Sequence, residues 1–176
     1  MIRFFTIAAI FFNSAAHSAD APSCSDTDKV YKECANQEEL YSAALSKAKA
    51  DKKKLVVVIG AEWCPWCISL HKMLLDPSVI TPELQKEYSF VDIAIYPAKD
   101  SKKKLPSGVA VQELLAKKAG FKGKFGGIPV LAVVNAQTGK AELINTEPLE
   151  KNTETSKGHD PAKLLAALKE AGPKVK

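Results

Sequence analysis

The 176-residue chain reads as an α/β protein, with a central mixed β-sheet and helices on both faces. Three observations predict this. Leu55-Val56-Val57-Val58-Ile59 is apolar without a break, as a central strand covered on both faces requires. Segments with helical and strand character alternate on either side of it, the order expected of a sheet wrapped by helices. Near the C-terminus, two β-rich runs flank Gln137-Thr138-Gly139, a hairpin signal that adds antiparallel pairing.

The elements follow in order. Asn36 with Glu39 three residues on forms a capping box, and Leu40, Ala44 and Ala48 recur on one face, so residues 37–50 are predicted as an amphipathic helix. Lys52–Lys54 lead into a strand over 55–60. A helix carrying Ile68, Leu70, Met73, Leu74 and Leu75 runs to Asp76-Pro77, where the proline stops it. Thr81-Pro82-Glu83 starts a short helix reaching about Tyr88, and Phe90–Ile95 is a strand parallel to the first. After a polar loop from Pro97 to Lys104 comes a helix over 108–119, with Val111, Leu114, Leu115 and Ala119 on its core face. Phe121–Gly127 is a glycine-rich approach to strand 130–134, which the hairpin joins to strand 141–145. The polar stretch 146–159 reads as a loop. Asp160-Pro161 caps a last helix that turns Leu164, Leu165 and Leu168 to the sheet.

The chemistry is concentrated in Trp63-Cys64-Pro65-Trp66-Cys67, directly after the first strand. With Cys64 at a helix start, its sulfur faces free backbone N–H groups and the positive end of the helix dipole. Such settings lower a thiol pKa from about 8.5 to roughly 3.5–7.5, which makes Cys64 a nucleophile near neutral pH. Cys67, one turn on and more covered, can resolve a mixed disulfide formed at Cys64. Pro65 fits the first turn, where its missing N–H costs nothing.

The segment Gly60-Ala61-Glu62-Trp63-Cys64-Pro65-Trp66-Cys67 resembles the active site of the thioredoxin superfamily, and Gly127-Ile128-Pro129 before Val130–Val134 resembles that family's Ile-Pro element. The resemblance covers roughly residues 37–170. It implies a thioredoxin-like fold, a cis bond before Pro129, and an Ile128 backbone edge that pairs with a bound substrate chain beside the attacking sulfur. It also implies thiol–disulfide oxidoreductase activity. Trp63, Pro65 and Trp66 are the candidate substrate surface around the dithiol, Trp63 read as half-buried packing that shields the thiols with a minor direct role, and Trp66 as either a contact for partner proteins or packing. One departure stands out. Thioredoxin itself has a buried Asp six residues before the first cysteine, and Val58 occupies that position here. Proton transfer then falls to Glu62 or water, and the secreted thioredoxin-like proteins with a preceding amphipathic helix are the nearer match.

Residues 1–19, with Arg3, the apolar stretch Phe4–Phe12 and small residues from Ser14 to Ala19, read as a secretory signal peptide. The apolar stretch is too short for a membrane-spanning helix, so no stable anchor is expected. Residues 20–35 form an N-terminal extension and 36–176 the thioredoxin-like domain, a monomer exported to the periplasm or secreted. With Cys64–Cys67 taken as the redox pair, Cys24 is left with Cys34 for a structural disulfide, the alternatives being a second redox pair or free thiols.

Charge excludes little. Twenty-five basic residues against 20 acidic ones give +5, and the lysine runs 52–54 and 102–104 lack the aromatic interleaving of a single-strand nucleic-acid binder. No nucleic acid is expected as a partner. Structural zinc needs four ligands, and beside Cys64 and Cys67 there is only the lone His71; Ile68, not His, follows Cys67, which excludes the covalent haem motif. Grip of Cu(I) by the dithiol is the remaining metal alternative, and neither a metal nor another cofactor is expected. The partners expected are thiols and disulfides of exported proteins and a membrane redox protein. A thioredoxin-like module that binds polypeptides with little redox turnover is the competing function.

Overall fold

The computed structural model describes residues 24–80, 82–97, 102–151 and 158–171. The expected signal peptide and residues 20–23 lie outside these. The elements are α1 (Gln37–Ala50), β1 (Lys54–Gly60), α2 (Pro65–Leu75), α3 (Pro82–Glu87), β2 (Tyr88–Ala94), α4 (Pro106–Lys118), β3 (Val130–Asn135), β4 (Ala141–Ile144), a 3-10 turn at Glu147–Leu149, and α5 (Pro161–Glu170). The sheet order is β2-β1-β3-β4. β1 runs parallel to β2 and antiparallel to β3, and β3 antiparallel to β4, so the sheet is mixed.

The alternation of side chains along a strand explains the two cores. Leu55, Val57 and Ile59 point to one face, where Tyr41 and Ala48 of α1 and Val111 and Leu115 of α4 cover them. Val56 and Val58 point to the other, under Leu70 and Leu74 of α2 and Leu164 and Leu168 of α5. Fully burying one such Leu, Ile or Val contributes roughly 1.5–3 kcal/mol. The apolar run of β1 is therefore what fixes the plane from which α2 departs.

Asn36 caps α1, its Oδ1 accepting from the N–H groups of Glu38 (3.0 Å) and Glu39 (3.4 Å). Asp160 caps α5 in the same way, accepting from Ala162 and Lys163.

Four expectations need correction. Tyr88 opens β2 rather than closing α3, because its ring is buried against the α5 core and its hydroxyl donates to the Leu168 carbonyl at 2.8 Å. Helix α4 starts at Pro106, two residues early, with proline in its first turn. Gly108 then passes so close to β2 that a Cβ there would meet the Ala94 carbonyl oxygen at 2.1 Å. Leu114, expected on the core face of its helix, is 38% exposed. The stretch 146–159 contains the 3-10 turn, and Glu150 bridges His159, so its described ends are built against the domain.

Candidate active site

Cys64 is the N-cap of α2, with extended backbone at φ −88°, and its Sγ accepts the Cys67 N–H at 3.2 Å. The local sequence dictates this: Pro65 takes the first helical position, and the strand above ends at Gly60. Cys64 and Cys67 are joined by a disulfide, with Cα atoms 5.2 Å apart. Cys67 is fully buried and Cys64 is 3% exposed, so Cys64 is the sulfur an incoming group reaches. A sulfur held at a helix start beside a backbone N–H is stabilised as thiolate once the bond opens.

The Ile128–Pro129 bond is cis, and the Ile128 carbonyl oxygen lies 3.9 Å from Cys64 Sγ. Beside it opens a groove of about 520 Å³ between the approach loop and β4, with Phe125, Gly126, Gly127, Thr146 and Glu150 on its walls. Thr146 Oγ1 donates to the Pro129 carbonyl at 3.0 Å and ties the far wall to the proline. On the opposite side of the dithiol, Glu62, Trp63, Pro65 and Lys72 line an open depression of about 450 Å³.

The tryptophans differ. Trp63 is 42% exposed, with its ring 5.7 Å from that of Tyr96. Trp66 is partly buried and meets the His159 ring edge-on at 5.7 Å. Of the two approach-loop phenylalanines, Phe125 packs against the α1/α4 core while Phe121 is 40% exposed; their rings lie 5.1 Å apart.

Glu62 has a defined partner: its Oε2 accepts the backbone N–H of Tyr31 at 2.9 Å. That bond docks the N-terminal extension onto the dithiol. Cys24 and Cys34 are bonded, with Cα atoms 5.7 Å apart, and close the loop that carries Tyr31. Gln37, fully buried, fastens its base by donating to the carbonyls of Lys32 and Ala35 while accepting the Ala94 N–H at 2.8 Å.

No carboxylate stands at Val58, which is buried among apolar side chains. Its in-register neighbour on β2 is Asp92, whose Oδ2 lies 2.7 Å from Nδ1 of His71 on α2, one turn beyond Cys67. That hydrogen bond, with the charges of Asp92 and Glu62, raises the His71 pKa above its ordinary value. His159, enclosed with no partner for either ring nitrogen among the described residues, is pushed the other way by burial. The His71–Asp92 pair, Tyr31, Gln37 and His159 join the site only through the fold. A charged residue inside the β-rich run Phe90–Ile95 was a usable signal for Asp92. Nothing local in the sequence marks the others.

Comparison with known proteins places this geometry. The family model described as a thioredoxin-like domain matches residues 41–145. No curated protein matches the chain. Among solved structures, the disulphide isomerase from Xylella fastidiosa Temecula1 is similar, with 24% identity, 66% of this chain and 78% of that chain covered, and a TM-score of 0.50. The DsbH oxidoreductase matches at 24% identity over 74% of this chain and 79% of its own, with a TM-score of 0.45. The C-terminal domain of Neisseria meningitidis DsbD, in its oxidised form, matches at 22% identity over 62% and 83%, with a TM-score of 0.41. At these identities the first of them bears on the fold alone. Among the described residues no helix is long and apolar enough to cross a membrane.

Proposed function

The chain belongs to the thioredoxin-like family, and from that premise we propose that it is a thiol–disulfide oxidoreductase acting on exported proteins. The observation that carries this reading is Cys64 Sγ at the α2 N-cap, bonded to a fully buried Cys67 and 3.9 Å from the Ile128 carbonyl. A client thiolate attacks Cys64 Sγ, breaking the bond to Cys67 and forming a mixed disulfide; in the other direction the Cys64 thiolate attacks a client disulfide and Cys67 resolves it. Ile128-Pro129 presents a backbone edge to the client strand, while Trp63, Pro65 and Trp66 surround the sulfur. Glu62 and solvent are the proton route at the open side. The expected setting is periplasmic or secreted, with a membrane redox protein as electron partner and a monomeric working state.

Equilibration of Cys64–Cys67 with glutathione buffers tests the reading, with Cys24–Cys34 followed separately by mass spectrometry. A reversible couple supports it. A potential of about −270 mV marks a reductant and one of about −120 mV a disulfide donor. Absence of any reversible couple overturns it in favour of a polypeptide-binding module. Cys67→Ser is expected to accumulate mixed disulfides at Cys64.

A further inference from the structure

We infer that Tyr31 is a hydrogen-bond donor to the resolving sulfur: when the Cys64–Cys67 bond opens, Tyr31 Oη donates to Cys67 Sγ and stabilises the reduced form. This rests on the oxidoreductase reading above.

Three observations converge. Tyr31 is fully buried, and its hydroxyl has no hydrogen-bond partner among the described residues. A buried donor without an acceptor is destabilising, and such groups are rare unless another state of the protein satisfies them. Second, Oη and Cys67 Sγ point at the same place. A Cβ on Gly60 would lie 2.5 Å from Tyr31 Oη and 2.9 Å from Cys67 Sγ, so the absent side chain at the end of β1 is what lets the two groups approach. Tyr31 shares one buried cluster with Cys64, Cys67, Ala61 and Ala94. Third, the ring is held there on purpose-built supports: its own N–H on Glu62, the Cys24–Cys34 bond closing its loop, and the Gln37 amide beneath. Burial, together with the carboxylates of Asp92 and Glu62, raises the Tyr31 pKa, so the hydroxyl keeps its proton and remains a donor.

The step balances without an added reagent. A client thiolate forms a bond to Cys64 Sγ; the Cys64–Cys67 bond breaks, and its electron pair stays on Cys67 Sγ as thiolate. Tyr31 O–H donates to that thiolate without giving up its proton. A second client thiolate then displaces Cys64, leaving the client oxidised by two electrons, with the client's protons passing to solvent or to the new cysteine thiolates. In the oxidised protein Cys67 Sγ is a weak acceptor; in the reduced protein it is a strong one. The donor therefore favours reduction.

Tyr31→Phe removes the hydroxyl and keeps the ring. It is expected to shift the Cys64–Cys67 equilibrium with glutathione toward disulfide by roughly tenfold, about 30 mV more negative. Tyr41→Phe, which removes another buried hydroxyl that has no partner among the described residues but lies in the α1/α4 core, is the control and should leave the potential unchanged. In a Cys64→Ala background, Tyr31→Phe should raise the pH at which Cys67 forms thiolate, read by ultraviolet absorbance. An unchanged or more positive potential, a shift matched by Tyr41→Phe, or an unmoved Cys67 titration overturns the assignment. If the wild-type protein shows no reversible couple, the oxidoreductase reading fails, and the Cys67 titration still decides whether Tyr31 serves that sulfur.

Discussion

The Cys24–Cys34 and Cys64–Cys67 bonds differ in nearly every respect that governs thiol exchange. Cys24 and Cys34 are both exposed, lie in irregular chain, and have as their nearest described polar support the Cys34 N–H donating to Asp26 at 2.9 Å. Cys64 and Cys67 are buried, start a helix, and face a backbone carbonyl next to a groove. Access alone would favour exchange at the first bond. Thiolate stabilisation and a docking edge favour the second, because exchange rate depends on thiolate character and leaving-group stability as well as on access. On the proposed function, one bond is a clasp on the extension and the other the reacting centre.

The largest expected effect breaks that comparison directly. Cys64→Ser should bring reduction or oxidation of a model client to the uncatalysed background, whereas Cys24→Ser should retain most of it. Equal loss in both variants would mean that the exposed bond takes part in turnover. The next effect is on stability. Removing the clasp with Cys24→Ser and Cys34→Ser should cost on the order of 2–3 kcal/mol, as loop-closure entropy for a ten-residue separation gives. A lowered urea midpoint, with a slope equal to or steeper than that of the cross-linked protein, checks this. An unchanged midpoint would mean that Glu62 and Gln37 hold the extension unaided.

The two bonds also differ in how far sequence alone explains them. Cys64 and Cys67 were legible because their chemistry is local: strand, turn, proline at the first helical position, and thiols one turn apart all sit within a few residues. β1 was equally legible, since an unbroken apolar run has few alternatives to a doubly covered strand. Pro129 depended on the resemblance. What the sequence did not show is everything that reaches the dithiol from elsewhere in the chain. Tyr31 arrives from a loop with no regular structure, Asp92 from the neighbouring strand, and His159 from beyond the 3-10 turn. Their meaning lies in contacts across long sequence separations, and neither period nor composition encodes these. The misplaced boundaries have the same origin. Tyr88 reads as a helix end until the Leu168 carbonyl gives its hydroxyl a partner, and Leu114 reads as core until the packing of α4 turns it outward.

The smallest effect is a pH dependence of stability, and it sharpens the contrast because both histidines responsible lie at the Cys64 end. His71 has a raised pKa, caused first by its hydrogen bond to Asp92. Above its unfolded value of about 6.5, the folded protein still holds that proton while the unfolded chain has lost it. The contribution of the pair is therefore full below about 6.5 and is lost as pH rises through the raised folded value. His159 acts in the opposite sense, since burial lowers its pKa. Between its lowered folded value and about 6.5 the unfolded chain binds a proton that the folded protein refuses, so stability falls as pH drops through that window. Together they predict a maximum near pH 6.5 in thermal stability. His71→Gln should flatten the alkaline limb and His159→Phe the acidic limb, both measured by calorimetry across pH 5–8. Asp76 and Asp160, whose pKa values are lowered by hydrogen bonds to their own helix ends and turns, act only below about 4 and leave this window untouched. Trp66 supplies an independent readout, because its ring meets His159 at 5.7 Å. Its fluorescence should change along the acidic limb, and that change should vanish in His159→Phe. A fluorescence change that survived the substitution would assign the acidic limb to another group and separate His159 from the dithiol surface.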